Sequence, residues 1–271
     1  MNWFQYAYGQ VLLSQKVFWK QLGFAIAGVV VPLGLGVALP MSMHGTKTIA
    51  GIDAGVFTLV GFIGFTLFWI VYNLINSSAA RRDALIYKRL RVSPLPDSAI
   101  FAGEAVSGSL VSLVQVVILV AVAALAMDAG APKNIPLFVL AVLLGSLMFA
   151  VLAIGLSGLL PNAELGTWIV TPFMALLMFG SGVATPLSSL PDFLQGPAQF
   201  LPLTPVVEML RTAYFGLDFI TDPASAAPPA EIGIFAAFRA ATPSFGIMVL
   251  WAAFGLICAH RYFRWDPRHS S

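Results

Sequence analysis

Charged residues are sparse in this chain, and their positions divide it. Six stretches of more than 20 residues contain no Asp, Glu, Lys or Arg: 21–46, 54–80, 105–127, 134–163, 165–191 and 240–260. A helix needs about 20 apolar residues to cross a hydrocarbon layer of about 30 Å. The pattern therefore predicts one domain over 1–271 with six spanning helices, at 21–46, 54–76, 98–127, 134–160, 164–185 and 240–262. A seventh uncharged run, 193–207, holds Gly196, Pro197, Pro202 and Pro205. It is too short and too broken to span, so 186–216 is expected to form short re-entrant helices on the outer side. Residues 1–20 mix Trp3, Phe4, Tyr8 and Trp19 with Gln10, Lys16 and Lys20. Aromatics with lysines favour the headgroup region, which predicts an interfacial helix.

Composition agrees with this reading. The chain is 59% hydrophobic and 10% charged, with a mean hydropathy of +0.88. A soluble domain carries about 25% charged residues. The fold class expected is an all-α integral membrane protein. Ten of the fourteen Lys and Arg fall on one side of the predicted bundle: Lys16, Lys20, five between 81 and 91, Arg261, Arg264 and Arg268. Lys47, Lys133, Arg211 and Arg239 fall on the other. The positive-inside rule then places both termini in the cytoplasm; a plasma membrane, the inner membrane of a bacterial cell, is the expected location. The apolar run after Lys20 is longer than a signal-peptide core and has no clear cleavage pattern, so it is expected to be retained.

Little catalytic chemistry is on offer. The single Cys258 excludes an internal disulfide or a multi-cysteine metal site. His44, His260 and His269 are far apart in sequence and suggest no metal centre. Gly45-Thr46-Lys47-Thr48 faintly resembles a phosphate-binding loop but lacks the upstream glycine and the strand-to-helix setting. Ser157 lies in an apolar helix without nucleophile-elbow spacing. No catalytic residue and no bound cofactor or metal is expected, and no nucleic-acid partner.

The most informative stretch is the basic segment between the second and third spans. Residues 79–91 are predicted to form a short cytoplasmic helix, closed by Ser93-Pro94-Leu95-Pro96. Ile86 and Leu90 share a helical face with Arg82, and Leu85 stands beside it. Arg81, Lys88 and Arg89 complete a basic rim. Topology anchoring accounts for the arginines but not for the apolar face, which suits docking into a partner's groove.

Three features lie inside the spans. Glu104, two turns into the third span, is either a functional intramembrane charge or a carboxylate near the interface, hydrated or paired with Arg81 or Arg82. The second reading is adopted, and Glu104→Gln is then expected to leave assembly intact and to alter function only modestly. Phe62, Phe65, Trp69 and Tyr72 fall on one face of the second span, and Met174 and Met178 share a face of the fifth. These six are the candidates for a substrate path, with packing between spans as the competing reading. Glu164, after Pro161-Asn162, reads as a first-turn charge at a helix start.

Two stretches together resemble a known family. One is the basic segment Arg81–Pro94. The other runs Phe179-Gly180-Ser181-Gly182-Val183-Ala184-Thr185-Pro186-Leu187-Ser188-Ser189-Leu190-Pro191, then Leu201-Pro202-Leu203-Thr204-Pro205 and Glu208-Met209-Leu210-Arg211. With six spans in this order, the chain resembles the membrane subunits of type-2 ABC exporters, most closely the drug- and antibiotic-resistance branch. The resemblance implies a permease whose first cytoplasmic loop is a coupling helix on a separate ATPase subunit, present in two copies with ATP and Mg. It also implies a second permease, identical or homologous, with the path between the two. The absence of a large domain between the first two spans points toward a small hydrophobic or amphiphilic substrate. Polysaccharide or lipid-linked glycan export is the rival within transport, and a non-transporting interaction or immunity protein is the rival outside it.

Overall fold

The computed structural model describes residues 2–46, 48–49, 51–91, 95–160, 163–221, 223 and 229–263. The charge-free runs become helices. After α1 (Trp3–Lys20), the first span is assembled from α2 (Leu22–Ala25), a π-helical stretch (Ile26–Val30) and α3 (Val31–Met43). A two-stranded hairpin, β1 (Thr48–Ile49) with β2 (Ile52–Asp53), leads into α4 (Ala54–Asp83). Then come α5 (Ile86–Arg91), α6 (Asp97–Ala126), α7 (Ile135–Ser157) and α8 (Ala163–Gly180). A 3-10 turn (Leu187–Ser189), α9 (Asp192–Ala198), α10 (Thr204–Phe215), α11 (Ile234–Ala240) and α12 (Thr242–Tyr262) finish the described chain.

Among the described residues, five helical segments are long and apolar enough to cross a membrane: Ile26–Met43, Ala54–Arg82, Asp97–Ala126, Ile135–Ser157 and Thr242–Tyr262. The expected fifth span is shorter. It is α8, 18 residues with Pro172 inside, about 27 Å long at 1.5 Å per residue. Gly182, with φ of 74°, turns the chain just beyond it, and only glycine adopts that conformation without cost. The chain is an all-α integral membrane protein.

α4 is the hub. It packs against α3, α6, α7, α8 and α10, and its apolar window is buried on every side. A helix apolar all round belongs in the centre of a bundle. Gly61 shows how tight that centre is, because a Cβ there would collide with the Val183 carbonyl. α7 and α12 meet the same way: a Cβ on Gly155 would strike the Gly255 carbonyl. Small residues at such crossings let backbones approach in the absence of a hydrophobic drive between helices.

The end with few positive charges is capped by local hydrogen bonds. Asp53 accepts from Val56 N–H (3.1 Å) at the start of α4, from Gly45 N–H (2.7 Å) and from His44 Nδ1 (3.0 Å). Buried α10 lies beneath this cap against α4 and α7. Its Arg211 donates to the Val183 carbonyl (2.8 Å) and sits 3.6 Å above the Phe57 ring. The 186–216 region thus holds two short helices and a 3-10 turn.

Candidate functional site

The basic segment is divided differently from the expected helix over 79–91. α4 continues unbroken to Asp83, so Arg81 and Arg82 occupy its last turn. The chain then reverses at Ala84-Leu85, with Leu85 in the left-handed region (φ of 57°), and α5 begins at Ile86. A non-glycine residue there costs roughly 1–2 kcal/mol, so neighbouring contacts must hold the corner. Ser93-Pro94 lies outside the described residues.

Those contacts are buried and polar. Arg81 Nη1 donates to Glu104 Oε1 of α6 at 2.6 Å. The phenol of Tyr87, in the first turn of α5, donates to the other Glu104 oxygen at 2.6 Å. Tyr87 is 1% exposed and Glu104 2%. Burial, and then the Glu104 carboxylate, push the Tyr87 phenol above its ordinary value, so it remains the donor. Arg82 turns to α7, donating through Nη1 to the Ser157 carbonyl (3.2 Å) and through Nη2 to the Leu160 carbonyl (2.7 Å). A guanidinium suits the carbonyl-rich C-terminal end of a helix. Phe263, just past α12, packs edge-on to Tyr87 (5.7 Å between centroids) and to Phe101 of α6 (4.7 Å). The ends of α4, α6, α7 and α12 therefore all meet at the root of α5.

Two expectations change as a result. Arg81 and Arg82 do not stand on an outward docking face, because their charges are spent inside the bundle. Glu104 keeps to the adopted reading, paired with Arg81, one of the two partners considered; what changes is that the pair is buried. The outward part of the segment is Leu85 and Lys88, both exposed, with Ile86 and Leu90 half-buried beside them. The side chain of Arg89 lies outside the described residues, as do that of Glu164 and residues Lys47, Arg264 and Arg268.

The substrate-path candidates sit in packing positions within the single chain. Phe62, Phe65, Trp69 and Tyr72 form a ladder with centroid spacings of 5.8, 5.6 and 5.4 Å, the first two pairs edge-on and the last tilted. Phe62 and Phe65 are buried in the core, and Trp69 and Tyr72 pack against it. Met174 is buried and Met178 packs at the core's edge.

Helix α1 joins the same end of the bundle in a way not anticipated. Three of its polar residues face inward: Gln10 and Ser14 are buried, and Gln15 Nε2 donates to the Ser107 carbonyl at 2.7 Å. Trp3 Nε1 donates to Ser98 Oγ at 3.0 Å. Phe4, Tyr8, Leu12 and Trp19 are exposed. The helix grips α6 by polar contacts and presents apolar residues outward, as an interfacial helix does. The matching signal is two stripes at spacing four, Gln10 with Ser14 and Gly103 with Ser107.

Residues 11–215 match the family model described as ABC-2 type transporter. No curated protein matches the chain.

Proposed function

The chain belongs to the ABC-2 type transporter family, and on that premise we propose that it is the permease subunit of an exporter for a small hydrophobic or amphiphilic compound. ATP hydrolysis takes place on a separate ATPase subunit. Two permeases and two ATPase subunits make the working unit, with the basic end of the bundle and both termini in the cytoplasm. The hairpin Thr48–Asp53, where a large outer domain would otherwise sit, favours a small substrate.

The observation that carries this reading is the buried network at the root of α5. A push on α5 by a closing ATPase dimer reaches Glu104 through Tyr87, and Arg81 through Glu104. Breaking a buried ion pair costs about 3–5 kcal/mol, so the spans tilt with α5 rather than let go of it. That is how a cytoplasmic displacement becomes rigid-body motion of spans. The exposed Leu85 and half-buried Ile86 and Leu90 supply the apolar contact to the ATPase.

The test is co-purification of an ATPase followed by a substrate panel in proteoliposomes. Amphiphilic drugs are expected to stimulate ATP turnover, and glycolipids to leave it unchanged. Stimulation by lipid-linked glycans alone would move the substrate to the rival class. Failure of any ATPase to bind would remove the transport reading.

A further inference from the structure

A groove runs along the seam between α7 and α12. Its basic-end half, about 700 Å³, is walled by Phe101, Val151, Ile154 and Leu256, with Asp97 and His260 also at its lining. A second, wholly apolar cavity of about 410 Å³ continues it from Leu147 to Met248 and Phe245. The two meet at Leu147, which lines both. From Phe245 to His260 the seam covers about 22 Å at 1.5 Å per residue, more than half of a hydrocarbon layer of about 30 Å. The rims open outward, since Leu147 is 58% and Leu256 59% exposed.

Polarity is confined to one end. Asp97 stands in the first turn of α6, and His260 and Arg261 in the last turn of α12. Nothing ionisable lines the far cavity. An elongated apolar groove with a carboxylate and an imidazole at one interfacial end matches a phospholipid: an acyl chain in the groove, an ammonium at Asp97 and a phosphate at His260. We infer that the α6–α7–α12 seam binds one phospholipid with a primary-ammonium headgroup, drawn from the leaflet on the side of the basic segment. The proposed function enters only in naming that leaflet cytoplasmic. The lipid also lies against Phe101 and Phe263, and Tyr87 packs on Phe263, so it braces the root of α5.

The test is native mass spectrometry of the full chain released from micelles doped with phosphatidylethanolamine or phosphatidylglycerol. One phosphatidylethanolamine is expected to stay bound, and phosphatidylglycerol about tenfold less. Val151→Trp, which fills the groove, and the pair Asp97→Asn with His260→Ala are each expected to lower retention about tenfold. Leu143→Trp, on an exposed position of α7 outside the groove, is expected to leave it unchanged and controls for folding. Equal retention of the two lipids, or full retention in Val151→Trp, overturns the site. Loss of a dimer in Val151→Trp with lipid retention intact also overturns it, and assigns the seam to a second copy.

Discussion

At the scale of single residues, the pairing of Glu104 alters what its substitution should do. Read as an interfacial carboxylate, it would tolerate Gln. In the structure it is 2% exposed and holds both Arg81 and Tyr87. Glu104→Gln strands a buried guanidinium, so a loss of about 3–5 kcal/mol is expected in denaturant unfolding of the detergent-solubilised protein. Tyr87→Phe removes one hydrogen bond to a charged group and should cost about 1.5–3 kcal/mol. Arg81→Met with Glu104→Leu removes both charges and is expected to recover part of the loss, the Tyr87 hydrogen bond to Glu104 staying lost. If the single and double variants unfold alike, the pair is not holding this end together. Asp53 gives a pH-dependent counterpart at the opposite end. Burial raises its pKa, but hydrogen bonds from His44, Gly45 and Val56 outweigh this and leave it lowered. Its contribution is then fully present above the ordinary carboxylate value and is lost as pH falls through the lowered one. The protection of the Gly45 and Val56 amides, taken relative to their intrinsic exchange rates, should fall on acidification in that window. Asp53→Asn should abolish the dependence; protection that stays constant with pH in the unsubstituted chain would contradict this.

At the scale of elements, the spans were legible because lipid tolerates no unpaired charge, so Asp, Glu, Lys and Arg mark where each one ends. α8 was harder, since Pro172 and the turn at Gly182 shorten it without leaving a charge. The internal division of the basic segment was not legible. Arg81 and Arg82 read equally as surface anchors or buried partners until α6 and α7 are placed beside α4, and Tyr87 carries no charge to draw attention. The aromatic stripe Phe62–Tyr72 was readable as a face, but what it faces depends on tertiary packing. α1 was legible as interfacial, although its polar face toward α6 was not. Helix crossings make a further prediction. Gly155→Leu forces α7 away from Gly255, and overpacking of this kind typically costs about 1–3 kcal/mol. The variant should unfold at lower denaturant than Gly34→Leu, where a Cβ meets nothing. Equal midpoints would mean the α7–α12 contact is loose.

At the scale of the whole molecule, the ends of four spans converge on one short helix, and in the proposed function this is where an ATPase partner moves them. The sidedness this requires can be read by labelling with an impermeant thiol reagent. Single cysteines near Lys133 are expected to react from outside, and one at Lys88 only from inside. The most direct measurement of the central claim is export by Ile86→Asp/Leu90→Asp in proteoliposomes that contain the ATPase subunit. These residues lie outside the spans, and a carboxylate forced into an apolar contact costs several kcal/mol in practice. The variant is predicted to insert normally while its ATPase dissociates or hydrolyses ATP without export. Normal binding and normal export by that variant would contradict the account and leave α5 as a charged anchor alone.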